Sequence, residues 1–147
     1  MRKDVIAEKL TDIEESVNLI KENIPENIEE FVWLGLVKDG IYRRLGFAIE
    51  RLMNVCAIIN FDLKLGAPSS DIKIVYNLIE NNVISIEAAE KIKELRNLNM
   101  YINKSYYMLR DDLAFERIKI VLGYFDVLIS EIKAFLERYE ETKNSRL

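Results

Sequence analysis

The sequence predicts an all-α, up-and-down bundle of four to five main helices. Three observations carry that reading. Apolar residues recur at alternating spacings of three and four along most of the chain, the pattern of one helix face turned to a core. Five glycines and two prolines in 147 residues leave few places to turn a sheet, and the breaks between periodic segments are short. Half the residues are hydrophobic, and a chain of this length buries about two-thirds of the surface its unfolded form exposes. Residues 1–147 therefore read as one helical domain with a polar tail over 140–147.

The first helix follows from Ile6, Leu10, Ile13, Val17, Ile20 and Ile24, a narrow apolar seam ended by Pro25 and expected to pack inside the domain. Glu26 to Trp33 suits a short helix that Gly35 interrupts. A long helix from about Val37 to Leu65 is expected to bury Ile41, Leu45, Ala48, Ile49, Leu52, Val55, Cys56, Ile59 and Leu63. Gly46 lies within it at a cost of about 1 kcal/mol relative to Ala, which points to close approach by another helix. Trp33 and Phe47 read as core or interface aromatics.

Gly66-Ala67-Pro68-Ser69-Ser70-Asp71 is the clearest break, with Gly66 as a left-handed cap and Ser69 or Ser70 as the next N-cap. The helix that follows, Asp71 to Glu80, should turn Ile72, Val75, Tyr76 and Ile79 inward and end at Asn81-Asn82. Ser85 caps a helix from Ile86, with Glu87 in the first turn, where the macrodipole favours a carboxylate. Ala88, Ile92 and Leu95 continue its buried face and carry Arg96 to its last turns. The chain turns near Asn103 to Arg110. One final helix, about Asp112 to Tyr139, should bury Leu113, Ile118, Leu122, Phe125, Ile129, Ile132 and Leu136.

Composition limits the function. A formal charge of −4 argues against coating nucleic acid through bulk electrostatics and leaves room only for a local basic cleft. Cys56 is the only cysteine, which excludes an intrachain disulfide and a thiolate metal cluster, and it reads as inert core. With no histidine there is no ligand set for zinc or iron and no imidazole to pair with a nucleophile. There is no glycine-rich phosphate loop, and neither a metal nor a cofactor is expected. Glu87, Glu90 and Glu94 share one helix face and read as a solvated acidic row, with Lys91 as an ordinary partner of Glu87. The charged amino terminus has no signal-peptide core, and no apolar run approaches the roughly 18 residues of a membrane span, so a cytoplasmic protein is expected.

Polar chemistry concentrates between Lys93 and Tyr107. Arg96 suits bidentate phosphate binding, or equally a helix end whose carbonyls it caps. Tyr101, Tyr106 and Tyr107 lie near Lys104 and Arg110, where rings stack bases while cations meet phosphates. Tyr106 and Tyr107 read rather as core or dimer contacts.

The segment from Gly40 to Lys104 resembles the HepT-like branch of the HEPN superfamily. The resemblance rests on Ile41-Tyr42-Arg43-Arg44 leading into a long helix, Gly66-Ala67-Pro68 with Ser69-Ser70, Leu78-Ile79-Glu80-Asn81-Asn82-Val83-Ile84, and Glu94-Leu95-Arg96-Asn97. It implies a helical-bundle homodimer acting as the ribonuclease toxin of a toxin-antitoxin pair, cutting RNA without a metal beside a small nucleotidyltransferase antitoxin. Arg96 and Asn97 match the family's Arg and the polar residue after it. Tyr101 stands at the place of the family's His, and Asn103 at the place of a Tyr that the antitoxin adenylylates in some systems.

On that resemblance Arg96 and Tyr101 are the catalytic candidates, and Arg96, Asn97 and Lys104 the RNA-phosphate contacts. A tyrosine with an ordinary pKa of about 10 is a weak base at neutral pH, so binding survives the exchange of His for Tyr better than catalysis does. The alternative is a non-catalytic module that binds RNA or a nucleotide, or that pairs with the nucleotidyltransferase. The first and last helices are the expected self-complementary dimer surface.

Overall fold

In the computed structural model, which describes residues 1–105 and 108–145, the apolar seam of α1 (Lys3–Asn23) lies along α3 (Leu36–Asp62), the most extensive helix pair in the molecule. Ile6, Leu10, Ile13, Val17 and Ile20 are buried in that contact. The seam is consumed inside the bundle, as its charges between apolar positions predict. It is therefore not free to form a dimer surface, a correction to that expectation. Between the two in sequence lies α2 (Ile28–Val32), whose N-cap Asn27 accepts the Glu30 amide. Its Phe31 is fully buried, edge-on to Tyr42 at 5.7 Å and tilted against Phe115 at 5.0 Å. Trp33 is 87% exposed and not core: it is the C-cap of α2, where the chain leaves the helix.

The end of α3 differs from the expected glycine cap. Lys64 takes the left-handed position at φ 52°, with Lys64 N–H donating to Phe61 O at 3.2 Å and Leu65 N–H to Asn60 O at 3.0 Å. These are the two bonds of a Schellman motif. The helix thus stops at Asp62, three residues short of Leu65. Gly66 serves a different purpose: a Cβ there would fall 2.8–2.9 Å from the Asn77 side chain, at φ +154°. Asn77 is buried, donates to Asn60 Oδ1 at 3.0 Å and to the Ala67 carbonyl at 3.3 Å, while Asn60 donates to the Gly66 carbonyl at 3.0 Å.

That amide network sets the rotation of α4 (Asp71–Glu80), capped by Ser70 accepting the Lys73 amide. With Asn77 turned inward, the buried face is Ile74, Val75, Asn77 and Leu78. Ile72 and Tyr76 lie 39% and 46% exposed, the reverse of the sequence expectation. Asn82, at φ 57°, ends this helix with a second Schellman motif through Asn82 N–H to Ile79 O and Val83 N–H to Leu78 O.

α5 (Ile86–Lys104) starts at Ser85, which accepts the Ala88 amide and, through its own amide and hydroxyl, donates to Glu131. It packs on α3 where Gly46 faces Asn99: a Cβ on Gly46 would lie 3.1 Å from Asn99 Oδ1, so the glycine permits the approach. The expected single last helix is two, α6 (Asp111–Val121) and α7 (Tyr124–Ser145), parted at Leu122-Gly123. The described residues thus hold seven helices, and α7 continues helical through most of the expected polar tail. Leu113, expected inside, is 46% exposed. Cys56 is fully buried, and burial pushes its thiol up to about 12. No described helix is long and apolar enough to cross a membrane.

Candidate functional site

The candidate residues all lie on α5, which runs two turns beyond Arg96 before ending at Lys104. Arg96 is therefore a mid-helix residue with no terminal carbonyls within reach, which removes the capping role considered for it. At 3.6 residues per turn, Arg96 and Tyr101 point about 140° apart around the axis. Each reaches a different neighbour.

Arg96 leans toward α4. Its Nε lies 3.4 Å from Asp71 Oδ2, in the first turn of that helix, and the two side chains are 28% and 53% exposed. This is one long contact, where a guanidinium and a carboxylate are capable of two short ones. Lys93, one turn earlier on the same flank, holds its Nζ 3.5 Å from Tyr76 Oη and 4.8 Å from the ring centroid, and 3.5 Å from Glu90. The Tyr76 hydrogen bond is the main cause that raises the Lys93 pKa above its ordinary value.

Tyr101 leans toward α6. Its Oη accepts the Arg110 backbone N–H at 3.2 Å, which leaves its own O–H free to donate. With Asn97 it lines a groove of about 490 Å³ between α5 and α6, walled by Leu98, Leu113, Arg117 and Ile120. Arg96 does not line this groove. Asn103 faces a second groove, of about 690 Å³, beside Arg43, Arg44 and Phe47 of α3. Lys104 is exposed at the end of α5. Tyr106 and Tyr107 lie outside the described residues.

Sequence reasoning missed one polar cluster. Tyr42 Oη donates to Asp111 Oδ1 at 2.7 Å and Lys38 Nζ to Asp111 Oδ2 at 2.8 Å, tying the start of α6 to α3. Burial first, and the bond to Asp111 second, push the Tyr42 phenol above its ordinary pKa. The separation of 69 positions between Tyr42 and Asp111 leaves no periodic signal to find it. This clamp holds the start of α6 beside α5, where the Arg110 amide meets Tyr101.

The acidic row divides. Glu94 accepts the Tyr124 hydroxyl at 2.8 Å and Glu90 faces Lys93, while Lys91 sits over the Tyr124 ring at 5.4 Å and makes no ion pair with Glu87. Among the described residues no group of three acidic, cysteine or histidine side chains converges to hold a metal. The arrangement offers a weakly held guanidinium on one flank of α5 and a phenol donor with an amide on the other.

Comparison with known proteins agrees with the fold. The family described as Ribonuclease HepT-like matches residues 13–139. No curated protein matches significantly. Among solved structures, the tri-AMPylated Shewanella oneidensis HEPN toxin in complex with MNT antitoxin is 23% identical. The match covers 89% of this chain and 98% of that one, with a TM-score of 0.79. A toxin-antitoxin structure with AMP-PNP is 22% identical over 89% and 98% of the two chains, TM-score 0.80. YutE from Bacillus subtilis, described as a cytosolic protein of unknown function, is 14% identical over 95% and 93%, TM-score 0.79.

Proposed function

Since this chain belongs to the ribonuclease HepT-like family of HEPN-domain proteins, we propose that it is the RNA-directed toxin component of a toxin-antitoxin pair and cuts RNA without a metal. The observation that supports this most is the state of Arg96. It stands at the family's Arg position, part exposed, with a single 3.4 Å contact to an exposed carboxylate that a phosphate can displace. Exposed pairs of this kind contribute about 0–1 kcal/mol, so releasing Asp71 costs little.

In this reading Arg96 binds the scissile phosphate and stabilises the charge that gathers on it. Asn97 and Lys104 add hydrogen bonds along the strand, and Tyr101 donates its free O–H to a phosphate oxygen. The ribose 2′-oxygen attacks the adjacent phosphorus as its proton passes to solvent water, and the bond to the 5′-oxygen breaks as that oxygen takes a proton from water. The products are a 2′,3′-cyclic phosphate and a 5′-hydroxyl. Arg96 and Tyr101 diverge within one chain, so a second copy brings the complementary flank, and the active form is a homodimer in the cytoplasm. The partner is a nucleotidyltransferase antitoxin. Asn103, at the place of the adenylylated Tyr, has no hydroxyl to accept the group.

One observation favours a second reading, a non-catalytic module that binds RNA or a nucleotide. Among the described residues, the phenol at the site, Tyr101, has its oxygen engaged as an acceptor by Arg110, and the chain contains no imidazole. Cleavage of end-labelled RNA in EDTA by the wild type, Arg96→Ala and Tyr101→His separates the two. Cleavage lost in Arg96→Ala supports the nuclease. An inert wild type that gains activity as Tyr101→His supports a scaffold that has lost its base. Three inert proteins that still bind RNA support the binding module.

A further inference from the structure

The rotation of α4 leaves Tyr76 and Ile72 on the surface one turn apart, beside the flank of α5 that carries Lys93 and Arg96. Tyr76 is a 46%-exposed ring with no aromatic partner among the described residues and a lysine ammonium 4.8 Å from its centroid. Lys93 and Arg96 sit one helical turn apart, so their cations follow one another along α5. Asp71 and Glu90 are the acidic groups facing them, each at 3.4–3.5 Å through a single contact. Neither cation is locked in place.

We propose that the α4–α5 seam is a single-stranded RNA contact surface on which Tyr76 stacks a base while Lys93 and Arg96 hold successive phosphates. This extends the RNA-binding reading above and rests on it. An exposed ring flanked by cations is the arrangement that grips unpaired strands, because every base presents a face to stack on while the backbone meets positive charge. Duplex RNA hides those faces. A phosphate displaces the Asp71 carboxylate from Arg96, so the pair that closes the empty surface opens on binding.

The test is fluorescence anisotropy of a short labelled single-stranded RNA over a series of salt concentrations, with the wild type, Tyr76→Ala, Tyr76→Phe, Lys93→Ala, Arg96→Ala and Asp71→Asn. Tyr76→Ala is expected to weaken binding roughly 5- to 100-fold with an unchanged salt slope, and Tyr76→Phe to bind nearly as the wild type. Lys93→Ala and Arg96→Ala are each expected to weaken binding and reduce the slope of log K against log salt by about 0.7. Asp71→Asn is expected to bind more tightly. Circular dichroism melts of the variants control for folding. Loss in Arg96→Ala with Tyr76→Ala and Lys93→Ala unchanged overturns the seam surface and leaves the Arg96 reading standing. Loss in the Tyr76 and Lys93 variants with Arg96→Ala unchanged supports the seam and overturns Arg96 as the phosphate site. A wild type that binds no RNA overturns both.

Discussion

Arg96 and Tyr101, five residues apart on α5, serve opposite flanks of that helix: the guanidinium lies 3.4 Å from Asp71 of α4, and the phenol oxygen accepts the Arg110 amide at 3.2 Å. The two residues are a motif in sequence and separate neighbourhoods in one chain. A reaction that uses both needs a surface that wraps α5 or a second copy.

Removing Arg96 should leave the fold intact. Its partner is exposed and singly bonded, so Arg96→Ala is expected to change unfolding free energy by less than about 1 kcal/mol. Urea denaturation checks this. A larger loss would mean that any RNA phenotype of the variant reports unfolding.

The amide network at the α3–α4 turn should be costly to disturb. Asn77→Ala leaves buried Asn60 Oδ1 without its donor, an expected loss of about 1–3 kcal/mol. Gly66→Ala drives a methyl group into Asn77 at a strained φ and should destabilise comparably. Thermal melts are expected to fall by several degrees for each, and by less than the sum for the pair, because both act on Asn77.

Tyr42 should give the fold a signature at alkaline pH. Its folded pKa is raised above the unfolded value of about 10, so its stabilisation is complete below that pH and is lost as pH rises through the folded pKa. Between pH 9 and pH 11 the wild type should lose more stability than Tyr42→Phe. At neutral pH the wild type should be the more stable of the two, because the variant lacks the 2.7 Å bond to Asp111. Urea midpoints at the two pH values measure both effects.

Cys56, fully buried with its thiol pushed up to about 12, should react with a thiol reagent at pH 8 only as fast as the protein opens. The check is the reaction rate against urea concentration. Prompt reaction in native buffer would contradict the packing of α3 described here.

The sequence by itself determined the helices wherever periodicity and caps agree. The α1 seam, Ser69 or Ser70 and Ser85 as N-caps, Asn81-Asn82 as a helix end and Gly46 as a place of close approach by another helix are local consequences of spacing and backbone chemistry. The absence of any histidine was also legible, because it is a statement about residue type. Tertiary structure alone decided the rotation of α4. There the apolar pattern admits two faces, and the choice falls to Asn77, whose amide is satisfied only by Asn60 and Ala67, residues outside its own helix. It likewise decided that α6 parts from α7, that Asp111 closes on Tyr42 across the chain, and which neighbour each flank of α5 meets. Periodicity states which residues share a face of one helix. What that face touches depends on hydrogen bonds and packing between segments far apart in sequence, and these exist only once the bundle has closed.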